Sequence, residues 1–198
     1  PRFHALYPQI TLEITTPGPV EAADEHFDVS ILSIGQQPLQ GDFIARQLAS
    51  SAFIICASPA YLERHGTPQT PQQLLEHQAL LPAVSAVRRE LTLYDHAGQK
   101  TNLPLIPALL SSSQIELLLA ACLAGLGIAG LPSFIAEQAL NNGALVRVLP
   151  EWQGTTLNLY AAMPTRKHIP ARTRAFVDFL VQTFGGSSAD PWLKATQR

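Results

Sequence analysis

Apolar and polar positions alternate in some stretches of this chain and recur every three to four residues in others. Over residues 9–15, Ile10, Leu12 and Ile14 alternate with Thr11, Glu13 and Thr15, the period of a half-buried strand. Short apolar runs at 28–32, 43–48, 52–57, 144–149 and 157–162 predict further strands. Residues 91–94 and 101–105 flank Asp95-His96-Ala97-Gly98 and predict a hairpin. Residues 2–6 read as the end of a helix, closed by Tyr7-Pro8 because a residue before proline leaves the helical region. Helices are also predicted over 21–27, from Pro59 onward, over 133–142, and over 170–183, where Phe176, Val177, Phe179, Leu180 and Phe184 fall on one side. Ser58-Pro59 and Thr70-Pro71 each set a capping residue before a proline at the first helical position. The tail after Gly185-Gly186 is polar and is expected to be loose.

The most apolar stretch is 111–132. Three serines open it, Gln114 and Glu116 fall in the expected first turn, and an apolar body runs to a glycine exit and Pro132. That is the pattern of a capped, buried helix. The N–H groups at the start of such a helix, beside serines, suit a carboxylate, phosphate or polar ligand. The stretch is uncharged from Leu117 to Pro132, too short for the ~20 residues that span a bilayer.

Strand, helix and strand in succession at 9–15, 21–27 and 28–32 suggest a βαβ unit and a parallel sheet. If the runs at 52–57 and 157–162 are crossing points, the chain makes two α/β lobes. The first takes 1–55 and 162–185 and is completed by the C-terminal helix. The second takes 56–161, and 186–198 is a flexible tail. Ligands of open α/β sheets bind in crevices beside helix N-termini.

Composition narrows the chemistry. At 198 residues, 46% hydrophobic and only 14% charged, the chain can bury a substantial core and is not of disordered type. A formal net charge of −2 argues against a phosphate-neutralising surface. Cys56 and Cys122 lie inside apolar runs and read as small buried hydrophobes in a reducing compartment. No signal peptide is visible, so a soluble cytoplasmic protein is expected.

Each candidate motif has a plainer reading. Gly125-Leu126-Gly127-Ile128-Ala129-Gly130 matches G-x-G-x-x-G, but that fingerprint needs a strand before it and a helix opening at it. Here a helical pattern precedes and Leu131-Pro132 follows, which predicts a close-packed helix exit into a short buried strand. The six histidines, His4, His26, His65, His77, His96 and His168, lack metal-ligand spacing, and no metal or cofactor is expected. There is no G-x-S-x-G elbow, and Ser58 and Ser111–Ser113 suit caps better than nucleophiles, so no catalytic residue is assigned. Arg166, Lys167, His168, Arg172 and Arg174 read as a solvated loop and outer helix face.

Several segments in order then carry a resemblance. They are Phe3-His4-Ala5-Leu6-Tyr7-Pro8, Asp28-Val29-Ser30-Ile31, Ile44-Ala45-Arg46-Gln47-Leu48 and Ala57-Ser58-Pro59-Ala60-Tyr61-Leu62 with His65-Gly66-Thr67-Pro68. They continue as Pro71-Gln72-Gln73-Leu74 with His77, Ala124 to Pro132, Gly143 to Pro150, and Pro170 with Phe176-Val177-Asp178-Phe179-Leu180. From Phe3 to about Phe184 the chain resembles the effector-binding domain of LysR-type transcriptional regulators.

The resemblance implies a fold like type 2 periplasmic binding proteins, with two lobes, two crossover strands and an interlobe effector cleft. It implies a small-molecule effector, a homodimer (a tetramer in a full-length protein), and DNA binding through an N-terminal winged helix-turn-helix. Carried onto this chain, the effector-contacting positions are Ser33, Ile34, Ser58, Ser111, Ser112, Ser113, Gln114, Gly130, Leu131 and Pro132. The family's first strand of lobe 1 would precede Phe3 and is expected to be missing. Leu32 stands where many relatives carry an arginine, which leaves serine hydroxyls and helix N–H groups to hold a polar or weakly anionic effector. A ligand-sensing regulatory domain is the leading expectation; a stand-alone solute-binding module of the same fold is the alternative.

Overall fold

A computed structural model describes residues 2–16, 22–35, 37–83, 90–104, 107–164 and 169–195. In chain order the elements are α1 (Arg2–Leu6), β1 (Ser30–Ile34), β2 (Phe43–Ala57), α2 (Pro59–His65), a 3-10 helix (Pro71–Glu76), β3 (Ala79–Pro82), β4 (Glu90–Asp95), β5 (Lys100–Pro104) and β6 (Leu110–Ser112). They continue as α3 (Ile115–Leu123), β7 (Ile128–Pro132), α4 (Ser133–Asn141), β8 (Val146–Arg147), β9 (Trp152–Gln153), β10 (Thr156–Pro164), α5 (Ala171–Phe184) and α6 (Pro191–Ala195). The chain folds as two compact units, Pro1–Ser50 with Leu157–Pro191, and Ser51–Thr156 with Trp192–Arg198.

In the first unit β10 lies between β1 and β2. β1 runs antiparallel to β10, with Ser30 opposite Ala162 and Ile34 opposite Asn158. One sheet face packs Leu48, Ala161 and Met163 against Val177 of α5, with Leu180, Val181 and Phe184 around them. Leu32, Ile34 and Ala162 form a second cluster with Phe43, Ala45 and Tyr160. Phe3 anchors α1 on α5, edge-on to Phe176 with centroids 5.0 Å apart, and 5.2 Å from Phe179. Arg46 donates to the Asp178 carboxylate at 3.0 Å, but both are half exposed and the pair adds little.

In the second unit the end of β2 pairs antiparallel with β7, Phe53 opposite Pro132 and Cys56 opposite Ala129. β3 runs parallel to both β6 and β7. Leu118, Ala121 and Cys122 of α3 and Ala136 and Ala139 of α4 cover one face, against Ile54, Cys56, Leu80, Ala129 and Leu131. The other face carries Ile55, Ala57, Tyr61 and Ile128 and is closed by Leu93 and Leu103 of the β4–β5 hairpin. Burying leucine-sized side chains contributes roughly 1.5–3 kcal/mol each, so these clusters dominate the unit's stability.

Several expectations are corrected. Residues 9–15 form no strand: Leu12 is 43% and Ile14 77% exposed, and alternation alone cannot make a strand without a neighbour to bond and a core to face. Residues 22–28 are turns and bends because the Asp24 carboxylate accepts the His26 N–H at 2.9 Å, a local bond that competes with a helix; Glu21 lies outside the described residues. No parallel βαβ unit forms at β1, whose partner is antiparallel. The two runs 43–48 and 52–57 are one fifteen-residue strand. The tail contains α6, whose Trp192 ring lies 5.6 Å from Phe134 and whose Leu193 joins the core of the second unit. Leu105, Arg166, Lys167 and His168 lie outside the described residues; Arg172 and Arg174 are exposed on α5.

Candidate functional site

The parallel register of the second unit brings three strand ends together. Leu81 faces Ser111 and Pro82 faces Ser112, and the Ala83 N–H donates to the Ser112 carbonyl at 2.8 Å. On the other side Leu80 faces Ala129, so one further step sets Gly130 level with Leu81 and Ser111. Each outer strand then turns into a helix at this edge. β6 continues through Ser113 and Gln114 into α3, and β7 passes through Pro132 directly into α4. Two helix N-termini, with their positive dipole ends, therefore follow the two strands that flank β3, at their carboxyl edge.

The serines hold this edge differently from the sequence expectation. Ser111 and Ser112 belong to β6 and are not caps; Gln114 occupies the N-cap of α3 and makes no side-chain cap bond. The Ser112 hydroxyl instead accepts the Gln114 N–H at 3.0 Å and shapes the turn. Ser111, Ser113 and Gln114 are exposed and Ser112 is half-buried, so all four can meet a ligand. Glu116 already sets a carboxylate in the first turn of α3, which favours a polar or weakly anionic group there over a strong anion. Gly130 is half-buried with open space where a side chain would project. Leu131 is fully buried in the core and Pro132 is buried, so at both positions only backbone faces the edge.

Ser58 does not join this group. It follows the end of β2, which is antiparallel to β7, and so sits at the opposite sheet edge. There it is buried and caps α2, its hydroxyl accepting the Tyr61 N–H at 3.3 Å. Thr70, the matching cap expected before Pro71, makes no side-chain cap bond. Ser33 and Ile34 belong to the first unit. Ser33 is half-buried opposite Leu159, while Ile34 points into the core with Leu32.

Sequence reasoning missed two polar pairs in otherwise apolar strands. In the second unit the Ser51 and Ser133 hydroxyls are 2.8 Å apart at the start of α4, and Ser51 also accepts the Phe134 N–H at 3.5 Å. In the first unit Ser50 donates to the Asn158 side-chain carbonyl at 2.7 Å, and the Asn158 amide donates to the Gly35 carbonyl at 3.4 Å. The available signal was Ser50-Ser51 between Ala49 and Ala52, two adjacent hydroxyls buried mid-strand. Among the described residues no three His, Cys, Asp or Glu side chains gather as a metal site, and no helix is long and apolar enough to cross a membrane. Burial pushes the Cys56 thiol far up and the Cys122 thiol up to about 12, so neither is a nucleophile near neutral pH.

A domain of two units with strand-to-helix junctions at a carboxyl edge is matched by a family model described as the LysR substrate binding domain, over residues 1–185. The chain belongs to this family. It is 32% identical over 185 residues to a probable HTH-type transcriptional regulator LtrA of Klebsiella pneumoniae, covering 91% of this chain and 59% of that protein. The regulatory domain of CrgA from Neisseria meningitidis, a LysR-type transcriptional regulator, superposes with a TM-score of 0.78 at 30% identity, covering 93% of this chain and 89% of that one. The regulatory domain of AphB from Vibrio vulnificus does so with a TM-score of 0.74 at 27% identity, covering 92% and 88%. This LysR substrate-binding domain shares their two-lobed, periplasmic-binding-protein-like fold. It spans about three fifths of the length of the curated relatives it matches.

Proposed function

We propose that this LysR substrate-binding domain senses a small polar or weakly anionic effector for a transcriptional regulator. The convergence of the β6–α3 and β7–α4 junctions at one sheet edge carries the reading. Ser111, Ser112, Ser113 and Gln114 offer hydroxyl, amide and N–H groups there, and Gly130 leaves room for a ligand to approach backbone. The relatives are HTH-type transcriptional regulators longer than this chain, which supports DNA binding through a separate helix-turn-helix; a homo-oligomeric, cytoplasmic regulator without a catalytic role belongs to the same proposal. Binding regulates only if the effector favours one arrangement of the regulator over another.

The test is a thermal-shift screen of small polar and carboxylate compounds on this chain, repeated with Ser112→Ala and Ser58→Ala. A compound present at a hundred times its Kd stabilises by about 2.7 kcal/mol. The expected result is a hit whose shift shrinks in Ser112→Ala and persists in Ser58→Ala. A hit indifferent to Ser112→Ala would remove the carboxyl edge from the site.

A further inference from the structure

At the other edge of the second unit, three rings from two elements meet. The buried Tyr61 ring of α2 stacks on His65, centroids 4.5 Å apart and planes 26° from parallel. The His77 ring, just after the 3-10 helix, lies 5.8 Å from it. The Tyr61 hydroxyl is 3.2 Å from His77 Nδ1 and accepts the Gln78 N–H at 3.0 Å. Gln78 leads straight into β3, and its carbonyl accepts the Ile128 N–H at the start of β7, 2.8 Å away. Gly127 packs against the same Gln78 carbonyl, too closely for any side chain. One phenol thus ties α2, the 3-10 helix and the β3–β7 start together.

We propose that Tyr61, His65 and His77 form a proton-responsive joint that holds α2 to the start of β3. When His77 is neutral, with its proton on Nε2, Nδ1 accepts the phenolic proton while the phenol oxygen accepts from Gln78. The phenolic O–H and the Gln78 N–H, the two donors that meet at this joint, are then both matched. When His77 takes up a proton, Nδ1–H must donate to the phenol, whose own proton is displaced from its acceptor. The new imidazolium also lies within electrostatic reach of His65, the other ring against Tyr61. Beside His77 stand Tyr61 and His65 of α2 and Glu76 at the end of the 3-10 helix. Burial, then His65, make the charged form of His77 unfavourable, and Glu76 opposes them. Because the folded chain holds this imidazole below the ordinary 6.5, the unfolded chain binds the proton more readily. The joint's contribution is therefore full above pH 6.5 and is lost as pH falls through 6.5 towards the folded value. This inference stands on the second unit alone and is independent of the effector reading.

The experiment follows the His77 ring proton resonance and the Tm of the intact chain from about pH 8 to about pH 5, in wild type, His77→Gln and Tyr61→Phe. Glutamine keeps an acceptor for the phenol but does not titrate. In wild type His77 is expected to titrate below 6.5, and in Tyr61→Phe its midpoint is expected to rise. The wild-type Tm is expected to fall more steeply below pH 6.5 than that of His77→Gln. A wild-type midpoint at or above 6.5, or superimposable Tm profiles of wild type and His77→Gln, overturns the proposal.

Discussion

Ser58 and Ser112 are both serines within two residues of a strand end, yet they do different work. The Ser58 hydroxyl is buried against the N–H of Tyr61 and close to Gly125, where a side chain at 125 would approach it to 3.3 Å and Arg64 Nη2 to 3.1 Å. Arg64 in turn donates to the Gly125 carbonyl at 3.0 Å, so the last turn of α2 and the exit of α3 are stitched together. Replacing Ser58 by Ala removes a cap, which typically costs about 1 kcal/mol. The urea midpoint is expected to fall accordingly, with ligand-induced stabilisation unchanged; an unchanged midpoint would mean that the cap carries no stability. The half-buried Ser112 hydroxyl bonds a turn amide, and its replacement is expected to act on ligand binding first.

At the scale of elements, the glycines of 125–130 separate packing from function. A side chain at Gly127 meets the backbone of Gln78, whereas one at Gly130 meets nothing within 4 Å. Gly127→Ala must push β3 from β7 and is expected to destabilise by roughly 1–3 kcal/mol, as overpacking does. Gly130→Ala is expected to keep the wild-type Tm and to lower ligand response. Equal Tm values for the two variants would contradict the close approach. The elements legible in sequence were those decided locally. Ser58-Pro59 gave α2, the glycine-punctuated apolar runs gave α3, β7 and α4, Phe176 to Phe184 gave α5, and the Asp95–Gly98 turn gave the β4–β5 hairpin. What was not legible depends on partners distant in the chain. Residues 9–15 have strand alternation but no strand beside them among the described residues. The placement of Ser58 away from Ser111–Gln114 follows from β2 running antiparallel to β7, a pairing between residues such as Phe53 and Pro132 that no local pattern encodes. Ser111 and Ser112 have cap chemistry, but pairing with β3 makes them strand.

For the whole molecule, the segment after Gly186 matters to each of the two units. Ala189 accepts the Ser50 N–H at 3.0 Å in the first unit, and Trp192 and Leu193 pack in the second. Truncation after Gly186 removes this bond and this apolar burial. The expected loss is roughly 1–3 kcal/mol, seen as a lower urea midpoint; a truncated chain with the full midpoint would return the tail to the status of an appendage. The second unit is nearly contiguous, whereas the first is assembled from two distant parts. Ser50 reaches Asn158 across 108 positions and Arg46 reaches Asp178 across 132. Closing such long loops is entropically slow compared with pairing β3, β6 and β7. In a chain made from its N-terminus, the first half of β2 is expected to wait for β10 while its second half already has β7 to pair with. The fifteen residues of β2 thus span two moments of folding, and the first eight are where exposure to other chains is expected to last longest.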